Sequence, residues 1–298
     1  MMSGYIIRKL YYGEEESYGE PASVTDYLGI VRTWNAGGEL IHHDVRIGGR
    51  ETYNRIPIGL NFSPTIEFLP ISGKFLKYVF GKVTDSGSSP PYDHLIEVGN
   101  DLKSITVEAV RIGDTKIAER AVGVLVDSAE ISIEADGLAT VSLECRAKSV
   151  SIISPYTEPS IDFPSRLPYR FNDMKLYVDG VEYASIVSAS ISFNNNLEEM
   201  SRRGDYISGF KLTKAEYEAE LKLFFEDTTL LEKFLSKESS NVELILSHQA
   251  NDYIKFNLNN CLVEAEAELP FEAEVLMQTI HLYPKKITVE VRDNIESY

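Results

Sequence analysis

Glu216-Tyr-Glu-Ala-Glu-Leu-Lys-Leu-Phe-Phe225 is followed almost at once by Asp227-Thr-Thr-Leu-Leu-Glu-Lys-Phe-Leu235. In the first stretch polar and apolar residues alternate with period two, which places one face of a β-strand on a core and the other in water or on a partner. In the second, an Asp able to cap free amides precedes apolar residues at helical spacing, which predicts a short helix. A strand followed closely by a short helix is therefore the unit to look for elsewhere in the chain. It recurs earlier. At a spacing of 155 residues Ile66 falls on Leu221, Phe68 on Leu223, Phe75 on Leu230, Leu76 on Leu231 and Phe80 on Leu235, and Gly49 falls on Gly204. The earlier helix, Ser72-Gly-Lys-Phe-Leu-Lys-Tyr-Val-Phe80, opens on a Ser and closes at Gly81.

Working outward, Thr33-Trp34-Asn35 matches Ser192-Phe193-Asn194 at a spacing of 159, Leu125-Val126-Asp127 matches Leu262-Val263-Glu264 at 137, and Glu134-Ala135-Asp136 matches Glu272-Ala273-Glu274 at 138. Ordered matches across strands and helix read as a tandem duplication of one β-rich unit. The fall in spacing places an inserted loop in the first half, about Lys82 to Asp101, around Ser86-Gly-Ser-Ser-Pro-Pro91. Further alternating runs, Ser104–Val110, Ala129–Glu134, Thr140–Cys145 and Lys286–Arg292, lie between turn signals such as Gly113-Asp114, Asp136-Gly137 and Asp179-Gly180. Helix is otherwise scarce. The fold class expected is mainly β: two tandem β-sandwich or rolled β-barrel domains, each with one short flanking helix. Four prolines in the 15 residues Ser154–Pro168 mark an extended linker, because proline cannot feed a central sheet. The expected domains are residues 1–153 and 169–298, with 154–168 between them.

Composition removes several functions. The 298 residues carry a net charge of −17, divided as −6 over residues 1–150 and −11 over 151–298. A chain that grips nucleic-acid phosphates needs clustered cations, and this one has the opposite balance. No run approaches the roughly 20 apolar residues of a membrane span, and Met1–Glu16 has no apolar core of the signal-peptide kind. Two cysteines, Cys145 and Cys261, both within expected strands, predict buried structural thiols rather than a disulfide scaffold.

Catalytic patterns do not emerge. The five histidines form no HExxH spacing, and no CxxC, GxSxG, Walker loop or GxGxxG occurs. His42-His43-Asp44 offers ligand types, but neighbours on an extended chain point to opposite faces, so a polar loop is the simpler reading. No enzyme activity, metal or cofactor is expected. The acidic run Glu264-Ala-Glu-Ala-Glu268 sends Glu264, Glu266 and Glu268 to one face. Three like charges require a solvated face, either an ordinary exposed strand or the wall of an acidic channel.

Three stretches carry a resemblance. They are Glu16-Ser-Tyr-Gly-Glu-Pro-Ala22 leading to Tyr27-Leu-Gly-Ile30; Ser190-Ile-Ser-Phe-Asn-Asn-Asn-Leu-Glu-Glu199 with the basic turn Arg202-Arg-Gly204 and the strand and helix from Tyr217 to Leu235; and the closing strands Gln278–Leu282 and Ile287–Val291. Over nearly the whole chain the sequence resembles the tail tube proteins of tailed viruses. The resemblance implies a β-sandwich or partly rolled barrel whose inner sheets join side by side into rings, with the rings stacked into a tube for the exiting genome. It also implies a virion location in the tail, host cytoplasm during assembly, other tail proteins at the tube ends, and DNA that passes without specific binding.

Members of that family commonly present six tube domains around the channel, so two domains per chain imply trimeric rings with pseudo-sixfold symmetry. The lumen-facing candidates are then Asp127, Glu130, Glu134, Glu264, Glu266 and Glu268. Arg202 and Arg203, with Arg46, Arg50 and Arg55 of the corresponding loop in the first half, are candidates for bridges to a neighbouring subunit, because a guanidinium fork binds carboxylates bidentately. The competing reading is a two-domain β-sandwich that recognises carbohydrate or a cell surface through its 17 tyrosines.

Overall fold

The computed structural model describes residues 6–45, 54–112, 115–162, 166–203, 206–224, 229–249, 251–268 and 277–298. Antiparallel strands dominate. The first half runs β1 (Ile6–Glu14), β2 (Asp26–Tyr27), β3 (Ile30–Asn35), β4 (Glu39–Val45), β5 (Asn54–Asn61), β6 (Thr65–Leu69), helix α1 (Leu76–Phe80), β7 (Gly81–Ser86), β8 (Tyr92–Val98), β9 (Ile105–Ile112), β10 (Lys116–Glu134), β11 (Thr140–Arg146) and β12 (Ser149–Ile153). The second runs β13 (Met174–Val178), β14 (Val181–Tyr183), β15 (Ile186–Asn194), the short strands β16 (Glu198–Glu199), β17 (Arg202–Arg203), β18 (Tyr206–Ile207) and β19 (Phe210–Lys211), then β20 (Glu216–Phe224), helix α2 (Thr229–Ser236), β21 (Ser239–Gln249), β22 (Asp252–Glu268), β23 (Met277–Tyr283) and β24 (Lys286–Asp293).

β10 and β22 organise the molecule. Each is long enough to serve two sheets. The N-terminal part of β10 lies between β9 and β12, and its C-terminal part lies between β11 and β15. β22 likewise pairs with β21 and β24 at its start and with β23 at its end. Both strands turn at a residue with positive φ, Gly123 (69°) and Asn260 (51°). A Cβ on Gly123 would meet the Lys148 side chain at 2.7 Å, so glycine is needed there for space as well as conformation. A buried carboxylate fastens the bend: Glu15 accepts from the Gly123 and Gly19 amides at 2.8 Å and from the Ser104 and Thr106 hydroxyls at 2.7 and 2.8 Å.

One sheet follows the order β3–β6–β11–β10–β15–β20–β23–β22. It crosses from the first half to the second at the β10–β15 ladder, where Ser128 lies opposite Asn194, Ala129 opposite Phe193 and Glu130 opposite Ser192. The other ladders branch from β10 and β22 into β2–β1–β9–β10–β12 and β14–β13–β21–β22–β24–β8–β7. No path of described pairings returns to its starting strand, so no barrel closes.

Between the layers lies a continuous apolar core that includes Trp34, Ile66, Phe80, Val141, Phe193, Leu221, Phe256 and Val289. The Phe80 and Phe193 rings, one from each half, sit 4.6 Å apart. Cys145 and Cys261 are buried in this layer, and burial pushes both thiols up, that of Cys261 to about 12.

Segment 82–101, expected as an inserted loop, is different. Most of it is the hairpin β7–β8, which adds to the edge of β24 in the second half, with Val289 opposite Ile96 and Val291 opposite His94. The Ser-Gly-Ser-Ser-Pro-Pro signal marks only the turn between two ordered strands. The proline-rich segment is tied down at Glu158, which meets Lys9 Nζ at 2.5 Å, the Tyr11 hydroxyl at 2.5 Å and Lys116 Nζ at 2.9 Å.

Candidate functional site: the open face of the fused sheet

Along the strands of the fused sheet every second residue enters the core. Ala129, Ile131 and Ile133 of β10, Ala189, Ile191 and Phe193 of β15, and Ala219, Leu221 and Leu223 of β20 are buried. The residues between them form the opposite, open face. Ladder register places Thr33, Glu67, Ser142, Glu130, Ser192 and Glu218 in one row across six strands. A second row runs Ser132, Ser190, Glu220, His281 and Glu264. Hydroxyl and carboxylate residues alternate across the first row. Like charges directly opposite one another destabilise a sheet, and this spacing separates them by a strand. Both rows are acidic; the next row, Glu134, Ser188, Lys222 and Thr279, adds one lysine to the face, and Arg32 lies 3.7 Å from Glu67, so carboxylates outnumber cations there.

The structure brings Glu130, Glu134 and Glu264 onto this face. Glu130 and Glu134 are exposed, and exposed Glu264 accepts from the Tyr283 hydroxyl at 3.3 Å. The backbones of Glu266 and Glu268 continue β22 opposite Thr279 and Met277; their side chains lie outside the described residues.

Asp127 belongs elsewhere. A β-bulge between Val126 and Ser128 moves it out of the alternation. Its carboxylate accepts from Arg146 Nε and the Leu197 amide, both at 2.9 Å, and so joins the two halves. Sequence reading missed His281, whose Nδ1 lies 3.5 Å from Glu218 and 3.8 Å from Glu220. Its place opposite Glu220 in the strand pairing is the signal that would have found it.

The arginines expected to reach a neighbour are also resolved in part. Arg202 turns inward along its own chain: it binds Glu199, donates through Nη1 to the Leu60 carbonyl at 2.8 Å, and contacts Asn61 Oδ1 through Nη2. It therefore fastens the β4–β5 hairpin to the second half within one chain. The reason is topological, because the loop after β15 lies beside the hairpin after β3. Arg55 pairs with Asp44 across that hairpin at 3.1 Å. Arg46 and Arg50 lie outside the described residues, as does the Arg203 side chain. The hairpin itself exposes Leu40, Ile56, Ile58 and Leu60.

Residues 7–280 match the family model described as phage tail tube protein. The chain belongs to the phage tail tube protein family. As a tail tube family member it is a structural protein of the virion tail, of a family built to assemble with other tail proteins. No curated protein matches the chain. A chain in the cryo-EM structure of the anti-feeding prophage (AFP) baseplate, 6-fold symmetrised, is similar over 39% of this tail tube protein and 89% of its own length. The identity is 12% and the TM-score 0.31, and a likeness that slight carries no argument.

Proposed function

We propose that this protein assembles into rings that stack into a tail tube, with the open face of the fused sheet lining the channel. The observation that carries the reading is the β10–β15 ladder. Each half contributes a four-stranded sheet in the same strand order, and the two join side by side, leaving β3 and the C-terminal part of β22 as bare edges at opposite ends among the described residues. A bare edge is a row of unpaired amides and carbonyls that templates another chain. Edges that point head to tail generate a ring when the rotation closes.

The acidic face supports passage of a genome. DNA phosphates meeting Glu67, Glu130, Glu218 and Glu264 encounter repulsion, so the polymer slides without the phosphate contacts that retain it. With two tube units per chain and six around the channel, three chains complete the circle, giving a trimer with pseudo-sixfold symmetry. Residues 1–153 and 169–298 are the two units in this reading, and their matching strand orders support it.

Cryo-EM of purified, assembled protein tests the proposal. Three chains per ring with the fused sheet inward is the expected outcome. Six chains per ring, with the second half outside the wall, rejects the trimer. A monomer under all conditions rejects assembly.

A further inference from the structure

The seam joining the two halves is a template for the seam between copies. β3 ends as β15 does. The Gly37 amide donates to Asn35 Oδ1 at 3.1 Å, and the Asn196 amide donates to Asn194 Oδ1 at 2.8 Å; Gly37 and Asn196 have φ of 54° and 48°. β22 also leaves its bend as β10 does. Leu125 opens the β10–β11 ladder opposite Arg146, and Leu262 opens the β22–β23 ladder opposite Tyr283. Only the bulge at Asp127 is missing from β22, so Glu264 takes the place of Ser128.

Burial separates the matched positions. Leu125 is 7% exposed and Leu262 53%. In the last turn of α1 Phe80 is 2% exposed, whereas Leu235 in the last turn of α2 is 70% exposed. The second half covers Phe80, on which Phe193 packs, and Asn195 Nδ2 donates at 3.0 Å to the carbonyls of Val79 and Val126, the neighbours of Phe80 and Leu125. Among the described residues nothing covers Leu235 and Leu262 in this way, and another first half beside them supplies an equivalent cover. Ala36 follows Asn35 as Asn195 follows Asn194, and it has no side-chain donor.

We infer that β22 of one copy pairs antiparallel with β3 of the next, with Glu264 opposite Asn35 and Ala265 opposite Trp34, and that this seam buries Leu235 and Leu262. The occupant of both edges is a second copy of this chain. The inference rests on the ring reading above and adds its partner surface and register.

Paired cysteines test it. Facing residues of antiparallel strands have Cα atoms about 4.5 or 5.5 Å apart, within disulfide range. Asn35→Cys with Glu264→Cys should link copies under oxidation, giving a ladder of multimers on a non-reducing gel. Ser128→Cys with Asn194→Cys should close within one chain and add no mass. Leu235→Glu and Leu262→Glu should each raise the protein concentration needed for assembly at least tenfold while leaving the monomer's Tm unchanged. Ala36→Asn supplies the missing donor and should lower that concentration.

Assembly of the cysteine variant without the inter-chain link overturns the seam and leaves the ring reading standing, as does normal assembly of both glutamate variants. Failure of the unmodified protein to assemble rejects both.

Discussion

Arg202 donates through Nη1 to the carbonyl of Leu60 at 2.8 Å, across 142 residues of sequence. The contact fixes an arm that would otherwise stand alone, since a two-stranded hairpin is at best marginally stable in water. Arg202→Ala should remove about 1.5–3 kcal/mol of local stability, the usual range for a hydrogen bond from a charged group. Hydrogen exchange should accelerate through residues 54–61 while the global Tm changes little. Unchanged protection there would show that the arm is held by other contacts.

Phe193 is 3% exposed and packs between Phe80 of the first half and Tyr217 of its own. Truncation of a core aromatic typically costs about 3–5 kcal/mol. Phe193→Ala should lower the denaturation midpoint accordingly, and both halves should unfold in one transition because they share one core. Two separated transitions in the unmodified protein would contradict that coupling.

The Glu158 clasp should weaken in acid. Its hydrogen bond from Lys9, then those from Tyr11 and Lys116, lower its pKa to about 2. An unfolded glutamate titrates near 4.3. The folded pKa is depressed, so the stabilisation is fully present above about 4.3 and is lost as pH falls toward about 2. Glu158→Gln should flatten the stability profile in that interval and leave the neutral-pH slope unchanged, as read from urea midpoints across pH.

His94 should behave oppositely. Burial disfavours its charge, but the carboxylates of Asp293, 3.5 Å from Nε2, and Asp85, 2.7 Å from Nδ1, outweigh burial and raise its pKa. The Tyr298 ring stacks on the imidazole at 3.9 Å, and Arg166 Nη1 lies 3.6 Å from Asp293. A raised pKa contributes stability below about 6.5 that is lost as pH rises through the folded value. The β7–β8 hairpin should therefore exchange faster on the alkaline side, and His94→Asn should remove that pH dependence. An NMR titration showing His94 neutral below pH 6 would sink the idea.

Much of the architecture was legible because the signals are local. Alternation in Glu216–Leu223 and Thr140–Cys145 identifies the strands and which residues enter the core. The constant spacing of Thr33-Trp34-Asn35 and Ser192-Phe193-Asn194 reflects a shared Asx turn. The acidic face was legible at Glu130, Glu134 and Glu264 because those residues sit in uninterrupted alternation.

It failed at Asp127, where one bulge residue shifts the parity and nothing in Val126-Asp127-Ser128 announces it. The contacts of Arg202 within its own chain were not legible either, since those partners are set by the neighbouring sheet rather than by sequence distance. β7 and β8 were missed because strongly turn-forming residues between them outweighed two short strands of mixed polarity.

The β10–β15 ladder also bears on dilution. That contact is made within one chain, so its partner strand is present at an effective concentration that does not depend on how much protein is in solution. Thinning the solution loosens only contacts made between chains. A ring of the kind proposed above would therefore gain or lose its units two at a time.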